Sequence, residues 1–252
     1  MKRLIIEIQK GGLGDHLFYS HLPRIAKQTG NYEEVFISNR SIFRNADYKK
    51  LIWELNPFVD GFTDEEGLFF YPDRIGSNEN LLDKMMLLYG LDDGKRFHEP
   101  EIYYQPEYKT SLQEYNLYDP NYVSYIGDLR NSQPLEDWLQ QNNVSIDFQM
   151  KDLKARHLNI ACEQRIETIS LMEFCSVIKS CKNLYCLTSG TATLAAALQK
   201  PATVFFGSGQ NTIYHHSAMH TYVDLGSNYN WPHKLKKQIK LFLHTFIKTG
   251  TP

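Results

Sequence analysis

Hydrophobic positions fall in short runs, and their spacing alternates between a strand period and a helix period. Leu4-Ile5-Ile6-Glu7-Ile8 is a nearly unbroken apolar run, which predicts a strand covered on both faces. Gly11-Gly12-Leu13-Gly14-Asp15 follows as a turn. Leu17, Phe18, Leu22, Ile25 and Ala26 then recur at helical spacing, with Pro23 expected to kink that helix and Gly30 to end it. Glu34 to Ser38 reads as a second strand, completing a βαβ unit. A helix fits Asn45 to Leu55, a short strand Val59 to Thr63, and another helix Leu81 to Leu88. Asp92 to Gln113 is polar, Tyr-rich, interrupted by Pro100 and Pro106, and without a period; it reads as a linker.

Beyond it the alternation resumes. Strands are expected at Tyr122 to Ile126, Leu158 to Cys162, Leu184 to Leu187 and Thr203 to Phe206. Helices are expected at Leu135 to Gln141, from a Ser170 cap to Ser180, and at Thr191 to Leu198, while Asn143 to Lys154 fits neither period. The chain closes on a lysine-rich amphipathic stretch, Trp231 to Ile247. Such alternation predicts an α/β fold with parallel sheets in two Rossmann-like domains, residues 1–110 and 111–230, with 231–252 as a helix able to cross back to the first.

Composition narrows the function. With 252 residues, 42% of them hydrophobic, the chain can bury two modest cores. A net charge of −2 does not suit a nucleic-acid binder. Cys162, Cys175, Cys181 and Cys186 form no C-x-x-C pair, so reduced thiols are expected rather than zinc. The apolar run at the N-terminus is too short for a signal peptide or a membrane span, which points to the cytoplasm. His215, His216 and His220 lack a neighbouring acid or cysteine at ligand spacing and read as a loop, not a metal site. Lys234, Lys236, Lys237 and Lys240 among Leu235, Ile239, Leu243 and Phe246 suit either a packed helix with a solvated basic face or a peripheral contact with the anionic inner membrane.

Three glycine-rich loops follow strands. In the first, Gly11, Gly12 and Gly14 allow a tight turn, and Asp15 and His16 open the next helix. Asp15 is either a cleft-facing carboxylate kept ionised by the helix dipole or a helix cap. The second, Thr188-Ser189-Gly190-Thr191 with Thr193 beyond, offers small residues, hydroxyls and free amides to a diphosphate. The third is Phe206-Gly207-Ser208-Gly209-Gln210. Loops of this kind in two α/β halves imply a ligand held between them. Gly12, Gly14 and Arg40 also leave open an NADP-dependent oxidoreductase, with Arg40 on the 2′-phosphate, although the third glycine of a dinucleotide fingerprint is Leu17 here.

The strand, G-G-L-G-D turn and proline-bearing helix, then the Glu54–Asp60 segment E-L-N-P-F-V-D, resemble the N-terminal half of glycosyltransferase family 9, the heptosyltransferase branch. His98-Glu99-Pro100-Glu101-Ile102-Tyr103 resembles the segment before that family's second domain. Ile169-Ser170-Leu171 through Phe206-Gly207 resembles its nucleotide-binding segment. The likeness implies a GT-B fold with the two parallel sheets facing a cleft. It also implies an inverting, metal-independent transfer of a sugar, without a cofactor, from a nucleotide-diphosphate donor to a bacterial surface glycan or lipid-linked acceptor. Asp15 would be the base and the loop of Gly11, Gly12, Gly14 and His16 would face the acceptor. Thr188, Ser189, Gly190, Thr191, Thr193, Ser208, Gly209, Gln210 and Arg130 would serve the donor. Thr188 stands where the family often has an acid and Thr193 where it has a histidine. Those two departures keep a non-catalytic sugar-nucleotide-binding relative as an alternative.

Overall fold

The computed structural model describes residues 2–72, 79–122, 126–153, 156–210 and 217–226. All named strands are parallel and lie in two sheets on either side of the linker. The first has β1 (Arg3–Ile6), β2 (Glu34–Ser38) and β3 (Gly61–Thr63) in the order β1-β2-β3. Leu68 bridges Ile6 on the free edge of β1, so the backbone after β3 returns to cover that edge. The second holds β4 (Asn116–Asp119), β5 (Phe148–Met150), β6 (Arg165–Ile166), β7 (Asn183–Leu187), β8 (Ala202–Phe206) and β9 (Thr221–Asp224), in the order β6-β5-β4-β7-β8-β9.

Helices cover the sheets. They are α1 (Leu13–Leu17), α2 (Leu22–Gln28), α3 (Leu81–Leu88), α4 (Gln133–Gln141), α5 (Leu171–Ser180) and α6 (Gly190–Ala197). Several follow the sequence closely because local chemistry fixes their ends. Ser170 caps α5 by accepting the Glu173 amide, and Asn80 caps α3 by accepting those of Leu82 and Asp83. Gly30, at φ 70°, terminates α2 as expected.

Other expectations are corrected. The kinked helix after the glycine turn is two helices. Tyr19 and Ser20 bond back three residues, the Ser20 hydroxyl donates to the Leu17 carbonyl, and Pro23 sits in the first turn of α2, where its missing N–H costs nothing. Asn45 to Leu55 contains a π-helix, Lys49–Glu54, closed by the Leu55 amide on the Lys50 carbonyl. Of the strand expected at Tyr122 to Ile126, residues 123–125 lie outside the described residues; the nearest described strand is β4, which begins six residues earlier. Asp119-Pro120-Asn121 ends it, with the Asn121 amide on the Asp119 carboxylate. Leu158 to Cys162 is no strand: Leu158 ends a 3-10 turn, Arg156–Leu158, and its neighbour Ile160 is buried in irregular backbone. The strand there is β6, and β9 was not foreseen. The basic stretch Trp231 to Ile247 lies outside the described residues.

One apolar cluster runs from Leu4, Ile6, Leu17 and Trp53 to Leu184, Ala192, Leu194 and Val204, so the two halves share a core. A second, smaller cluster packs α4 on the other face of the larger sheet, where Trp138 meets Phe205 edge-on at 5.0 Å. The linker is tied at both ends. Glu101 pairs with Arg24 and its amide bonds the Ser20 hydroxyl; Lys109 pairs with Glu173 at 2.8 Å.

Candidate active site

Residues expected at the site come together where α1 and α6 begin. Gly12 precedes α1 and donates its amide to Asp15 Oδ2 at 3.0 Å. Asp15 is therefore a cap through one oxygen; among the described residues nothing donates to Oδ1. Burial raises its pKa, against the pull of the Gly12 amide and of Lys10 and Arg44. The expectation that the helix dipole governs its charge is corrected: α1 has five residues, and desolvation outweighs its end. Gly11 leaves no room for a side chain, since a Cβ would lie 2.6 Å from Ile42 Cγ2. His16 is fully buried and faces no cleft. Nε2 donates to the Ile42 carbonyl at 2.9 Å, Nδ1 accepts from Trp53 Nε1 at 3.1 Å, and the ring stacks on Phe43. Burial lowers its pKa to about 4, so the ring is neutral and fixed as one tautomer.

Opposite α1 stands α6. Ser189 is its cap, accepting the Thr191 amide, and Thr193 turns its hydroxyl back to the Ser189 carbonyl. The two helix starts touch through backbone. A Cβ on Gly190 would lie 3.1 Å from Leu13 Cβ and 3.3 Å from Gly14 N; one on Gly14 would lie 3.4 Å from Thr193 Oγ1. The third loop joins the second where the Thr188 hydroxyl meets Gln210 Oε1 at 3.4 Å; Gln210 Nε2 is buried and has no partner among the described residues. Ser208 accepts the Asp128 amide, and Gly209 takes φ 84°. Arg130 is exposed two residues beyond Asp128 and makes no hydrogen bond or ion pair among the described residues. Gly127 (φ 81°), Gly207 and Gly226 close this corner, because a Cβ on any of them would lie under 3 Å from neighbouring atoms.

One acid was missed by sequence reasoning. Asp119, at the carboxyl end of β4, is 1% exposed and accepts from Asn121 N, Asn121 Nδ2 and the Thr191 hydroxyl. Placing the strand too late hid it; the Asp-Pro-Asn turn was the available signal. His220, one of the three histidines read as a loop, is buried between the Ala202 amide and the Ala192 carbonyl, while His215 and His216 lie outside the described residues. Among the described residues no three His, Cys, Asp or Glu side chains are grouped to hold an ion. Arg40, required on the phosphate of NADP, is engaged with Glu66 and the Asp64 carbonyl.

No protein-family model matches the chain, and no curated protein sequence does. Solved structures do. The ADP-heptose lipopolysaccharide heptosyltransferase II of E. coli superposes with a TM-score of 0.58 at 13% identity, over 88% of this chain and 90% of its own. A glycosyl transferase family 9 protein of Veillonella parvula gives 0.59 at 10% identity, over 94% and 89%. The E. coli heptosyltransferase WaaC, solved with ADP, gives 0.55 at 11% identity, over 95% and 99%. At such identities the likeness is one of fold, and it extends through both sheets and the linker. The chain has the GT-B fold, built as in the heptosyltransferases of glycosyltransferase family 9.

Proposed function

We propose that this protein is a glycosyltransferase that moves a sugar from a nucleotide-diphosphate donor to a glycan acceptor. The observation that carries the reading is the abutment of the α1 start, bearing Asp15, on the α6 start, bearing Ser189 and Gly190. One side offers a carboxylate with a free oxygen; the other offers backbone amides suited to phosphates. The fold shared with a heptosyltransferase solved with ADP supports a nucleotide-diphosphate donor. Because the α6 amides belong to the second half, residues 111–230, we assign the donor there and the acceptor to the first, 1–110.

In this mechanism the acceptor oxygen attacks the anomeric carbon from the face opposite the diphosphate. Asp15 Oδ1 takes the hydroxyl proton, and the carbon–oxygen bond to the diphosphate breaks with its electron pair. The configuration inverts, and no metal is used. The amides at the start of α6 meet the charge that develops on the leaving diphosphate. A carboxylate pKa raised by burial makes Asp15 a better base than an ordinary aspartate. We place the reaction in the cytoplasm, on a bacterial surface glycan or its lipid-linked precursor, with residues 231–252 available for membrane contact or for packing across the halves.

The test is a thermal-shift panel of ADP, GDP, UDP, CMP and NADP, then turnover with the matching sugar nucleotide. A ligand at 100 times its dissociation constant adds about 2.7 kcal/mol, well within detection. Stabilisation by one nucleoside diphosphate and not by NADP is expected. Stabilisation by NADP alone would return the protein to the oxidoreductase reading.

A further inference from the structure

We propose that Asp119 is a positioning residue of the donor site, holding the first turn of α6 through the Thr191 hydroxyl so that its free amides form a fixed face for the diphosphate. The inference rests on the donor assignment above. Asp119 touches no ligand route, being 1% exposed. Its carboxylate gathers three donors from a loop and a helix: the Asn121 amide, the Asn121 side chain and the Thr191 hydroxyl. Asn121 in turn ties to the backbone after β5, donating to the Lys151 carbonyl and accepting the Leu153 amide. One carboxylate thus joins the ends of β4 and β5 to the second residue of α6.

Thr193 turns its hydroxyl back to the carbonyl of Ser189, four residues earlier. Thr191 stands too early in α6 for that bond, since four residues before it lies Leu187 at the end of β7. Its hydroxyl goes to Asp119, while its amide is held by Ser189 Oγ. Both handles of this residue are fixed, whereas the amides of Gly190 and Ala192 have no carbonyl to bond within the helix. Rigid placement of donors is what makes such a site effective, because no reorganisation is needed when charge arrives. Among the described residues, the titratable groups packed around Asp119 are Tyr118 on its own strand and Cys186 paired with it on β7. Neither is cationic, so within these residues Asp119 holds the helix by hydrogen bonds and not by an ion pair.

The experiment measures ADP, GDP and UDP affinity by calorimetry, with hydrogen exchange of the α6 amides in the ligand-free protein. Four proteins are compared: the parent, Thr191→Val, Thr191→Ser and Asp119→Asn. Thr191→Val and Asp119→Asn should each weaken the best nucleotide about tenfold or more and speed exchange at Thr193 and Leu194. Thr191→Ser, which keeps the hydroxyl, should restore both readouts. The double variant should lose no more than either single, since both remove one interaction. Parent-like affinity in Thr191→Val with the fold intact overturns the inference alone. Failure of Thr191→Ser to rescue also overturns it, because the threonine would then act by packing. If the parent binds none of the three nucleotides, the donor assignment itself falls and this inference with it.

Discussion

Asp15 and His16 are adjacent in sequence and opposite in character. Asp15 keeps one oxygen for chemistry, and replacing it with Asn preserves the Gly12 amide bond. Asp15→Asn should therefore fold normally and lose about a hundred- to ten-thousand-fold in turnover, with donor affinity nearly unchanged. Steady-state kinetics with the identified donor and acceptor checks this; a variant with most of the parent's turnover would leave Asp15 a helix cap. The raised pKa also has a stability consequence. Between its unfolded value and its raised folded value the native state binds more protons than the unfolded one, so Asp15 lowers stability as pH rises through that window. Asp15→Asn should melt no lower than the parent at pH 7. His16 has the opposite sign. Its folded pKa of about 4 lies below the unfolded 6.5, so the stability it confers is complete above 6.5 and is lost as pH falls toward 4, amounting to about 3 kcal/mol. His16→Phe should cost about 2–4 kcal/mol in urea unfolding, because the Trp53 indole and Ile42 carbonyl lose their partner, and should flatten the acid limb of stability. Sequence alone did not separate these roles: both residues follow a glycine turn, and only the approach of Phe43 and Trp53 from a later segment buries one of them.

Elements were legible where local chemistry fixes them and illegible where burial does. β2, α3 and α5 were read to the residue or nearly so, since their apolar periods end at capping or glycine residues. β4 was misplaced because its outer residues are Asn116 and Asp119, polar by type yet drawn into the sheet by the Asp147 carboxylate and the Thr191 hydroxyl. β6 and β9 are short and half-exposed, with no apolar run to announce them. The corner of three loops makes its own prediction. Gly127→Ala puts a Cβ 2.1 Å from the Gly207 carbonyl oxygen at a φ of 81°. Clash and backbone strain together should cost about 2–4 kcal/mol, read as a fall in the urea midpoint with an unchanged slope.

At the scale of the whole molecule, the GT-B architecture was visible in the alternation on both sides of the linker, whereas the intimacy of the halves was not. Periodicity marks which residues are buried but not which sheet they are buried against. The shared core and the anchoring of the linker at Arg24 and Lys109 predict one cooperative calorimetric transition rather than two. Two resolved transitions would mean that the interface contributes little to either half. The meeting of Gly14 with Gly190 then sets a limit on any motion. Gly190 meets the Gly14 backbone and the first side-chain carbon of Leu13, so little there can compress or swing aside. Any closure of the halves would end at this contact. The reach from base to donor would accordingly be set by a mechanical end-point in the main chain, the same on every turnover. A methyl group added at Gly190, 3.1 Å from Leu13 Cβ, would reset it like a shim, whereas one at Gly14 would meet only ordinary contacts at 3.4 Å and beyond.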